Sequence, residues 1–272
     1  MNIDQPPLYF GKPFLVIAHR GASFAAPENT FAAFTLAAGM KADMIELDVQ
    51  LSADGIPVVF HDDHLDNRTN GTGLISDLEL REIKKLDAGS WYSPDFAGER
   101  IPELDEVLKW AKGRILLNIE IKPAKAEIDA LTRSEAMTTH FETRESGAEK
   151  KVLELIRKHE MNHQVVISSF SYPVLRRVRN ADKTLQTAVL YNPKISGSST
   201  PPELVRLLGA HAFHCSSEQI TSSRAAQLKE EKIPFLIYTV NDPAEMDKLI
   251  GLGAAGIFTD KPDLLGKVYE AR

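Results

Sequence analysis

The chain has 272 residues, of which 43% are hydrophobic and 26% are charged, and this is the composition of a soluble globular protein. No stretch approaches the roughly 20 apolar residues that a membrane span requires, and the N-terminus lacks the basic and apolar regions of a signal peptide. The formal net charge of -6 disfavours nucleic acid as a partner, and the single cysteine, Cys215, excludes an internal disulfide and fits a reducing compartment. We therefore expect a cytoplasmic protein without stable membrane insertion.

Short runs of β-branched and apolar residues alternate with helical segments, which is the pattern of a parallel sheet covered by helices. Strands are predicted at residues 14–18, 44–50, 57–60, 115–121, 165–168, 187–190, 212–215, 235–240 and 256–259. Residues 51–56 are too few for a crossover between parallel strands, which takes about a dozen or more. The strand at 57–60 must therefore run antiparallel to the strand at 44–50, and eight strands remain for a barrel.

Helices are predicted at residues 28–38, 103–111, 148–158, 172–179, 202–208, 222–231, 243–250 and 262–269. Eight strands with intervening helices indicate an α/β fold, a (β/α)8 TIM barrel with a β-hairpin extension, as one domain over residues 1–272. A doubly wound open sheet is the alternative. Two segments exceed ordinary loop lengths, one at residues 123–147 and one at about residues 62–102. We expect the latter to be a small insertion over the carboxyl-terminal face of the barrel.

Two carboxylates stand out in the predicted strand at residues 44–50. Glu46 and Asp48 are two positions apart, so their side chains lie on the same face of a strand otherwise made for burial. Two like charges buried side by side are costly unless a cation lies between them. The strand therefore predicts a metal ion, a substrate cation or a basic partner next to these carboxylates.

The hairpin that follows this strand returns a histidine to the same place. If Asp54 and Gly55 form its turn, residues whose numbers sum to about 108 to 109 lie opposite each other. His61 then lies across from Leu47 or Asp48. Because the active sites of TIM barrels lie at the carboxyl ends of the strands, we expect His61 to join the two carboxylates there.

Two further strand ends add charged groups to this face. His19 and Arg20 close the first strand, and Glu120 and Lys122 close the strand after the insertion. With the two carboxylates of the second strand, Glu120 would complete a set of three hard oxygen ligands, which suit Mg²⁺, Ca²⁺ or Mn²⁺ far better than Zn²⁺ or Cu²⁺. Such a cation, a guanidinium and an ammonium group together form a receptor for a phosphate, and two histidines can supply an acid and a base.

A set of short motifs runs through nearly the whole chain. The motifs are His19-Arg20-Gly21, Pro27-Glu28-Asn29-Thr30, Glu46-Leu47-Asp48-Val49, Val58-Val59-Phe60-His61-Asp62, Thr69-Asn70-Gly71-Thr72-Gly73, Asn118-Ile119-Glu120-Ile121-Lys122, Tyr238-Thr239-Val240-Asn241 and Gly256-Ile257-Phe258-Thr259-Asp260-Lys261-Pro262. In these motifs and their order the chain resembles the glycerophosphodiester phosphodiesterases, whose barrel is similar to that of phosphatidylinositol phospholipase C. Any one triplet occurs by chance in many chains, whereas the ordered set is specific.

The resemblance implies a function, a cofactor and a set of residues. The implied reaction is the metal-dependent hydrolysis of small-molecule glycerophosphodiesters, such as glycerophosphocholine or glycerophosphoethanolamine, to sn-glycerol 3-phosphate and an alcohol. The implied cofactor is one divalent cation, Mg²⁺, Ca²⁺ or Mn²⁺. The implied residues are Glu46, Asp48 and Glu120 for the metal, His19 and His61 for general acid and base catalysis, and Arg20, Lys122 and Tyr238 for the substrate. Which histidine is the acid, and whether water or the 2-hydroxyl of the substrate is the nucleophile, stay open.

Tyr238 departs from the family pattern, in which many members have a tryptophan before Thr-Val-Asn. Its hydroxyl can hydrogen-bond a head group that an indole would only pack against, so the alcohol preference stays open. Two other functions remain as alternatives, a lysophospholipase D-like activity with an apolar cavity mouth and a non-catalytic phosphoester-binding protein. The sequence does not determine the oligomeric state.

Overall fold

The computed structural model describes residues 9–122 and 147–272, and within them nine strands form one sheet. The strands are β1 (Leu15–His19), β2 (Met44–Leu51), β3 (Pro57–Val59), β4 (Leu116–Ile121), β5 (Val165–Ser169), β6 (Gln186–Leu190), β7 (Ala212–Ser216), β8 (Phe235–Tyr238) and β9 (Gly256–Thr259). Eight of them are parallel and close into a ring, because β1 pairs with β9 on one side and with β2 on the other. The predicted barrel is thereby confirmed, and β3 lies outside the ring, antiparallel to β2.

Helices lie between the strands, and the longer ones cover the outside of the barrel. Within the described ranges they are α1 (Phe31–Gly39), α2 (Leu80–Ile83), α3 (Leu104–Ala111), α4 (Ala148–Lys158), α5 (Tyr172–Ala181), α6 (Pro193–Ser196), α7 (Pro201–Leu208), α8 (Ser222–Glu230), α9 (Pro243–Gly251) and α10 (Pro262–Glu270). Several begin with a polar cap followed by proline. Ser171 caps α5 by accepting a hydrogen bond from the backbone N–H of Val174, and Asp242 caps α9 in the same way.

The alternation of side chains along β2 positions the charged site. Met44 packs inside the barrel, whereas Ile45 and Leu47 belong to the larger core between strands and helices. Glu46 and Asp48 lie on the same face of β2 as Met44, and their side chains therefore also point to the inside of the barrel. The barrel interior is therefore apolar at one end of this strand and acidic at its carboxyl end.

The first helix begins later than the sequence prediction, which placed its start at residue 28 and is wrong. Asn29 has a φ of 57°, in the left-handed region, and so cannot be part of an α-helix. Thr30 is extended, and its Oγ1 accepts a hydrogen bond from the backbone N–H of Ala33 at 3.3 Å. Thr30 is thus the N-cap, and the helix starts at Phe31.

Other differences concern short elements and strand ends. Helices α2 and α6 were not predicted, because four residues show no helical periodicity. Strand β8 ends at Tyr238 rather than at residue 240.

The long segment at residues 123–147 lies outside the described residues apart from Gly147. No helix in the described ranges is long and apolar enough to cross a membrane.

The hairpin has the predicted register, since Val49 pairs with Val59 and Leu51 with Pro57. The insertion packs with Val58 of β3 in a small separate core, whose other members are Phe60, Leu65, Ile75, Ile83, Ala88 and Ile101. The hydroxyl of Tyr92 in this insertion donates to the backbone carbonyl of Phe24, in the loop after β1. The insertion therefore packs on the carboxyl-terminal face of the barrel.

Candidate active site

A cavity of about 250 Å³ opens at the carboxyl ends of the barrel strands. Its polar lining residues are His19, Arg20, Glu46, His61, Asn118, Glu120, Lys122, Ser168 and Thr239, and its apolar and aromatic ones are Phe170, Leu190, Tyr238 and Phe258. Seven of the eight residues that the sequence singled out therefore face one space. The eighth, Asp48, is 1% exposed and lies next to Glu120 on the neighbouring strand.

The parallel register of three neighbouring strands brings the carboxylates together. Glu46 on β2 is the partner of His19 on β1, and Asp48 on β2 is the partner of Glu120 on β4. One oxygen atom from each of the three carboxylates lies within 4.8 Å of the other two, and all three residues are buried. These acidic residues can hold a metal ion.

Glu46 is the carboxylate least compensated by positive charge. Burial and the charge of Asp48 raise the pKa of Glu46 to about 8. Its Oε2 accepts a hydrogen bond from the backbone N–H of Arg20 at 3.0 Å. A cation next to Glu46 would stabilise the ionised form, and three buried carboxylates with hard oxygen atoms suit Mg²⁺ or Ca²⁺. The donor set therefore fits a divalent cation.

Asp48 is surrounded by positive charge. Although burial alone would raise the pKa of Asp48, the charges of Lys122 and Arg20 hold it below its usual range. Nζ of Lys122 lies 3.0 Å from Oδ1, and Nε of Arg20 lies 3.3 Å from Oδ2. The side-chain amide of Asn29 also donates to Oδ2, at 2.9 Å. Because an ionised carboxylate has about four acceptor sites, Asp48 can hold these groups and still contribute a ligand atom.

The loop after β1 aims Arg20 into the site with an uncommon backbone. Arg20 and Gly21 have φ values of 56° and 86°, and this backbone conformation is uncommon for a residue other than glycine. A Cβ atom on Gly21 would lie 2.7 Å from the backbone of Ala33 in α1, so only glycine fits. Nη1 of Arg20 donates to Oε1 of Glu28 at 2.9 Å. The guanidinium is therefore held between Glu28 and the buried carboxylates.

Lys122 supplies a second positive charge at the end of β4. Its Nζ donates to Oε1 of Glu120 at 2.9 Å and also contacts Asp48. Burial alone would lower the pKa of Lys122, but the two carboxylates outweigh it and raise the pKa above its usual range. The ammonium group is therefore protonated and lines the cavity.

Both histidines are held at Nδ1 by an aspartate. Nδ1 of His19 lies 2.7 Å from Asp260, and Nδ1 of His61 lies 2.6 Å from Asp62. Since an ionised carboxylate can only accept, each Nδ1–H donates, and Nε2 remains available to the cavity. Burial lowers the pKa of His19, but the hydrogen bond to Asp260 and the charge of Glu46 outweigh it and raise the pKa. Two such imidazoles can give and take protons.

The sequence profile of the "Glycerophosphoryl diester phosphodiesterase family" matches residues 19–264. The chain belongs to this family. The resemblance seen in the sequence is thereby confirmed, as is the prediction of a phosphodiesterase-family enzyme. The match includes the three carboxylates, both histidines, Arg20, Lys122 and Tyr238.

Glycerophosphoryl diester phosphodiesterase family members of similar length include two bacterial proteins named glycerophosphodiester phosphodiesterase. The protein from Caldanaerobacter subterraneus subsp. tengcongensis is 37% identical over 252 residues, covering 92% of this chain and 96% of its own. The protein from Bacillus subtilis is 34% identical over 272 residues, covering 93% of this chain and 86% of its own. The chain therefore matches these relatives over nearly their whole length.

Solved structures of the family have the same fold. A phosphodiesterase from Oleispira antarctica, in complex with the product sn-glycerol-3-phosphate, is 30% identical with a TM-score of 0.81, covering 93% of this chain and 96% of that one. The glycerophosphodiester phosphodiesterase from Agrobacterium tumefaciens is 29% identical with a TM-score of 0.76, covering 92% and 98%.

Four residues next to the site received no role from the sequence. Glu28 contacts Arg20, Asn29 contacts Asp48, and the aspartates at positions 62 and 260 contact the histidines. All four lie in the motifs that carry the family resemblance, but a motif does not say which side chains touch. The apolar cavity wall was likewise visible only in the structure, because Phe170, Leu190 and Phe258 lie on separate strand ends.

Proposed function

We propose that this chain hydrolyses glycerophosphodiesters, such as glycerophosphocholine and glycerophosphoethanolamine, to sn-glycerol 3-phosphate and the free alcohol. The observation that carries the proposal is a cavity, in a barrel of this family, that is lined by two carboxylates, two cationic side chains and two histidines. The third carboxylate, Asp48, has an oxygen atom within 4.8 Å of the other two. The bound product of the Oleispira antarctica phosphodiesterase supports sn-glycerol 3-phosphate as the product here.

We assign Glu46, Asp48 and Glu120 as the residues that would hold one divalent cation, Mg²⁺, Ca²⁺ or Mn²⁺. The donor set supports this assignment, since all ligand atoms are carboxylate oxygens and Glu46 would be stabilised by added positive charge. Bound there, the cation would supply Lewis-acid polarisation of a phosphate oxygen and would lower the pKa of a coordinated hydroxyl.

We assign Arg20 and Lys122 as the groups that bind the phosphate. Both side chains line the cavity and stay protonated beside the carboxylates. The guanidinium of Arg20 offers several donors in one plane, which match two phosphate oxygens, whereas the ammonium of Lys122 acts as a point charge. Together they would orient the phosphodiester and stabilise the charge that develops on it.

We assign His19 and His61 as the general acid and base. Each ring is fixed through Nδ1 by a carboxylate, so Nε2 is the atom that would exchange a proton with the substrate. One imidazole would take the proton of the attacking hydroxyl, and the other would protonate the departing alcohol oxygen. Proton transfer of this kind contributes about 10²- to 10⁴-fold to a rate, so the loss of either ring should be severe.

The remaining lining residues suit the uncharged parts of the substrate. Asn118 lines the cavity, and its Oδ1 is buried without a hydrogen-bond partner among the described residues, so we propose that it accepts from a glycerol hydroxyl. Tyr238 stands against Phe170 and Phe258, with ring centroids 6.2 and 6.4 Å apart. We propose that this aromatic wall contacts the substrate and that the hydroxyl of Tyr238 influences which alcohol is accepted.

The first test is the release of sn-glycerol 3-phosphate from glycerophosphocholine by the purified chain after treatment with a chelator. We expect no release without metal and restored release with Mg²⁺, Ca²⁺ or Mn²⁺, measured with a coupled glycerol-3-phosphate dehydrogenase. The His61→Ala variant, purified in the same way, controls for a contaminating hydrolase.

The outcomes separate the alternative functions. Faster turnover of lysophosphatidylcholine than of glycerophosphocholine would replace the proposal by a lysophospholipase D-like activity, which the apolar cavity wall could serve. No turnover of either substrate with any of the three ions, combined with binding of sn-glycerol 3-phosphate, would leave a phosphoester-binding protein.

We further propose that residues 1–272 act as one catalytic domain in the cytoplasm, a location that the single buried thiol of Cys215 supports.

A further inference from the structure

Asn241 and Asp260 belong to two of the sequence motifs. The function proposed above uses Asp260 only as a partner of His19 and gives Asn241 no role. Asn241 follows β8, and Asp260 follows β9, which is the strand that pairs with β1 to close the barrel. Asp260 accepts the hydrogen bond from Nδ1 of His19 at 2.7 Å.

The carboxylate of Asp260 is fixed on both oxygens. Oδ1 accepts from His19 and from Oγ of Ser23, the latter at 2.9 Å, and Oδ2 accepts from Nδ2 of Asn241 at 2.6 Å. Burial alone would raise the pKa of Asp260, but these partners hold it at about 2. The carboxylate is therefore ionised and cannot rotate without breaking several hydrogen bonds.

The side-chain amide of Asn241 has a defined orientation. Its Oδ1 accepts from the backbone N–H of Asp260 and from Oγ1 of Thr259, both at 2.9 Å. Both partners are donors, so the oxygen must face them and Nδ2 must face the carboxylate of Asp260. Asn241 therefore presents a donor, Nδ2, to the side chain of residue 260, so an acceptor oxygen of that side chain must face it.

His61 provides a contrast within the same site. Its partner Asp62 is the next residue in the chain, and the two side chains have similar exposure, 31% and 32%. Among the described residues, no side chain other than His61 donates to the carboxylate of Asp62. The second histidine thus has an aspartate partner that no other side chain holds in place.

We propose that Asp260 is a positioning residue that keeps the proton of neutral His19 on Nδ1 and its Nε2 lone pair toward the cavity, and that Asn241 fixes Asp260 in this role. The inference rests on the proposed function, because it explains how one of the two assigned histidines is prepared for proton transfer. An ionised carboxylate can only accept a hydrogen bond, so it selects the Nδ1–H tautomer.

The proposal predicts the effect of an isosteric change. In Asp260→Asn the new amide must turn its oxygen to Nδ2 of Asn241, and its NH₂ group then faces His19. Nδ1 of His19 must accept, so the ring proton moves to Nε2 and the lone pair no longer faces the cavity. We expect kcat to fall by about 10²- to 10⁴-fold, the range for loss of general acid or base catalysis, with KM nearly unchanged.

A second change should reverse the first. In the double variant Asp260→Asn with Asn241→Asp, the carboxylate at 241 can accept from the amide at 260 and still accept from Thr259. The amide at 260 then turns its oxygen to His19, and the Nδ1–H tautomer returns. We expect the double variant to be more active than Asp260→Asn alone, which a purely structural role for Asp260 would not produce.

The decisive measurement is the tautomer of His19 by ¹⁵N nuclear magnetic resonance of the metal-free chain, at a pH at which the ring is neutral. A His19→Gln variant assigns the signals, and Asp263→Asn is the matched control, at a half-buried aspartate on α10 that pairs with Lys267. We expect Nδ1–H in the wild type, Nε2–H in Asp260→Asn and Nδ1–H again in the double variant. An unchanged tautomer in Asp260→Asn, or no reversal in the double variant, would overturn the proposal.

This measurement is independent of turnover. If the wild-type chain hydrolyses no glycerophosphodiester but the tautomer changes as described, then the proposed function fails and the positioning of His19 stands. If the chain is active and the tautomer stays the same, then the proposed function stands and the positioning fails. Melting temperatures of all variants show whether the fold is kept.

Discussion

The two acidic residues of β2 have different partners although they lie two positions apart. Asp48 contacts Lys122, Arg20 and Asn29, whereas Oε2 of Glu46 accepts from a backbone N–H. The negative charge of Asp48 is therefore already compensated, and it holds the two cationic side chains in place. Glu46, with its raised pKa, gains most from a metal ion.

Substitutions can separate metal binding from proton transfer. In Glu120→Gln, one of the three carboxylates becomes an uncharged amide, so we expect loss of turnover and weaker metal binding. Loss of an outer-shell partner weakens metal binding roughly 10- to 100-fold, and we expect a larger effect here because Glu120 is assigned as a direct ligand. In His61→Ala we expect loss of turnover with metal affinity retained, because the imidazole is not assigned as a ligand. Calorimetric titration with Mn²⁺ measures the metal affinity of the two metal-free variants, and the glycerophosphocholine assay measures their turnover.

The control for this pair is Glu160→Gln, a change at an exposed glutamate that pairs with Lys112 far from the cavity. It should bind metal and turn over substrate like the wild type. Wild-type turnover of Glu120→Gln at limiting metal would contradict the three-carboxylate assignment.

The loop between β1 and α1 is the element that carries most of the site's backbone geometry. It places Arg20 and Gly21 in the left-handed region and brings Gly21 against Ala33 of α1. The backbone N–H of Arg20 donates to Glu46, and that of Asn29 donates to the carbonyl of Arg20. A shift of this loop would therefore move the guanidinium and a carboxylate partner together.

Gly21→Ala tests this element. The new Cβ would lie 2.7 Å from the backbone of Ala33, so the loop or α1 must move, and we expect a loss of about 1 to 3 kcal/mol in the free energy of unfolding. We also expect a marked loss of activity, because Arg20 is the adjacent residue. Urea unfolding and the glycerophosphocholine assay measure the two effects.

Gly55→Ala is the matched control for this loop. Gly55 has a φ of 76° in the hairpin turn, but nothing lies within 4 Å of a Cβ built there. Only the cost of the left-handed backbone applies, about 1 kcal/mol, and activity should remain. Equal losses of activity in both variants would contradict the role of close packing at Gly21.

Sequence patterns predicted the long elements and failed at the short and irregular ones. The barrel strands and the hairpin register follow from hydrophobic runs and from a turn at Asp54 and Gly55, and both signals are local. The start of α1 was missed because the left-handed conformation of Asn29 depends on its contacts with Arg20 and Asp48. Such contacts join residues that are distant in the chain, so periodicity does not reveal them.

The candidate site was predictable to the extent that its residues lie at strand ends. Parallel strands bring their carboxyl ends to one face, so Glu46 and Glu120 were expected to meet without knowledge of distances. The partners of the histidines were not, because Asp260 reaches His19 only through the closure of the barrel between β9 and β1. Pairing across the closure is a property of the whole fold.

The interior of the barrel as a whole changes from apolar to charged along its axis, and His214 lies within this gradient. It follows Ala212 of the inner core on the inward side of β7, and its ring packs on Phe258, a wall of the cavity, with centroids 5.1 Å apart. Neither ring nitrogen has a hydrogen-bond partner among the described residues. Burial therefore lowers the pKa of His214 to about 3, and the folded protein holds this ring neutral.

His214 should make the whole fold sensitive to acid. Between its ordinary pKa of 6.5 and its folded value of about 3, the unfolded chain binds a proton that the folded chain does not, so stability falls as the pH falls. In His214→Leu this contribution is absent, and we expect the loss in the free energy of unfolding between pH 7 and pH 5 to be smaller by about 2 kcal/mol than in the wild type. Urea unfolding at both pH values measures it, with the exposed His163→Leu as a control that should behave like the wild type. The same loss on acidification in His214→Leu and in the wild type would show that His214 is protonated in the folded barrel.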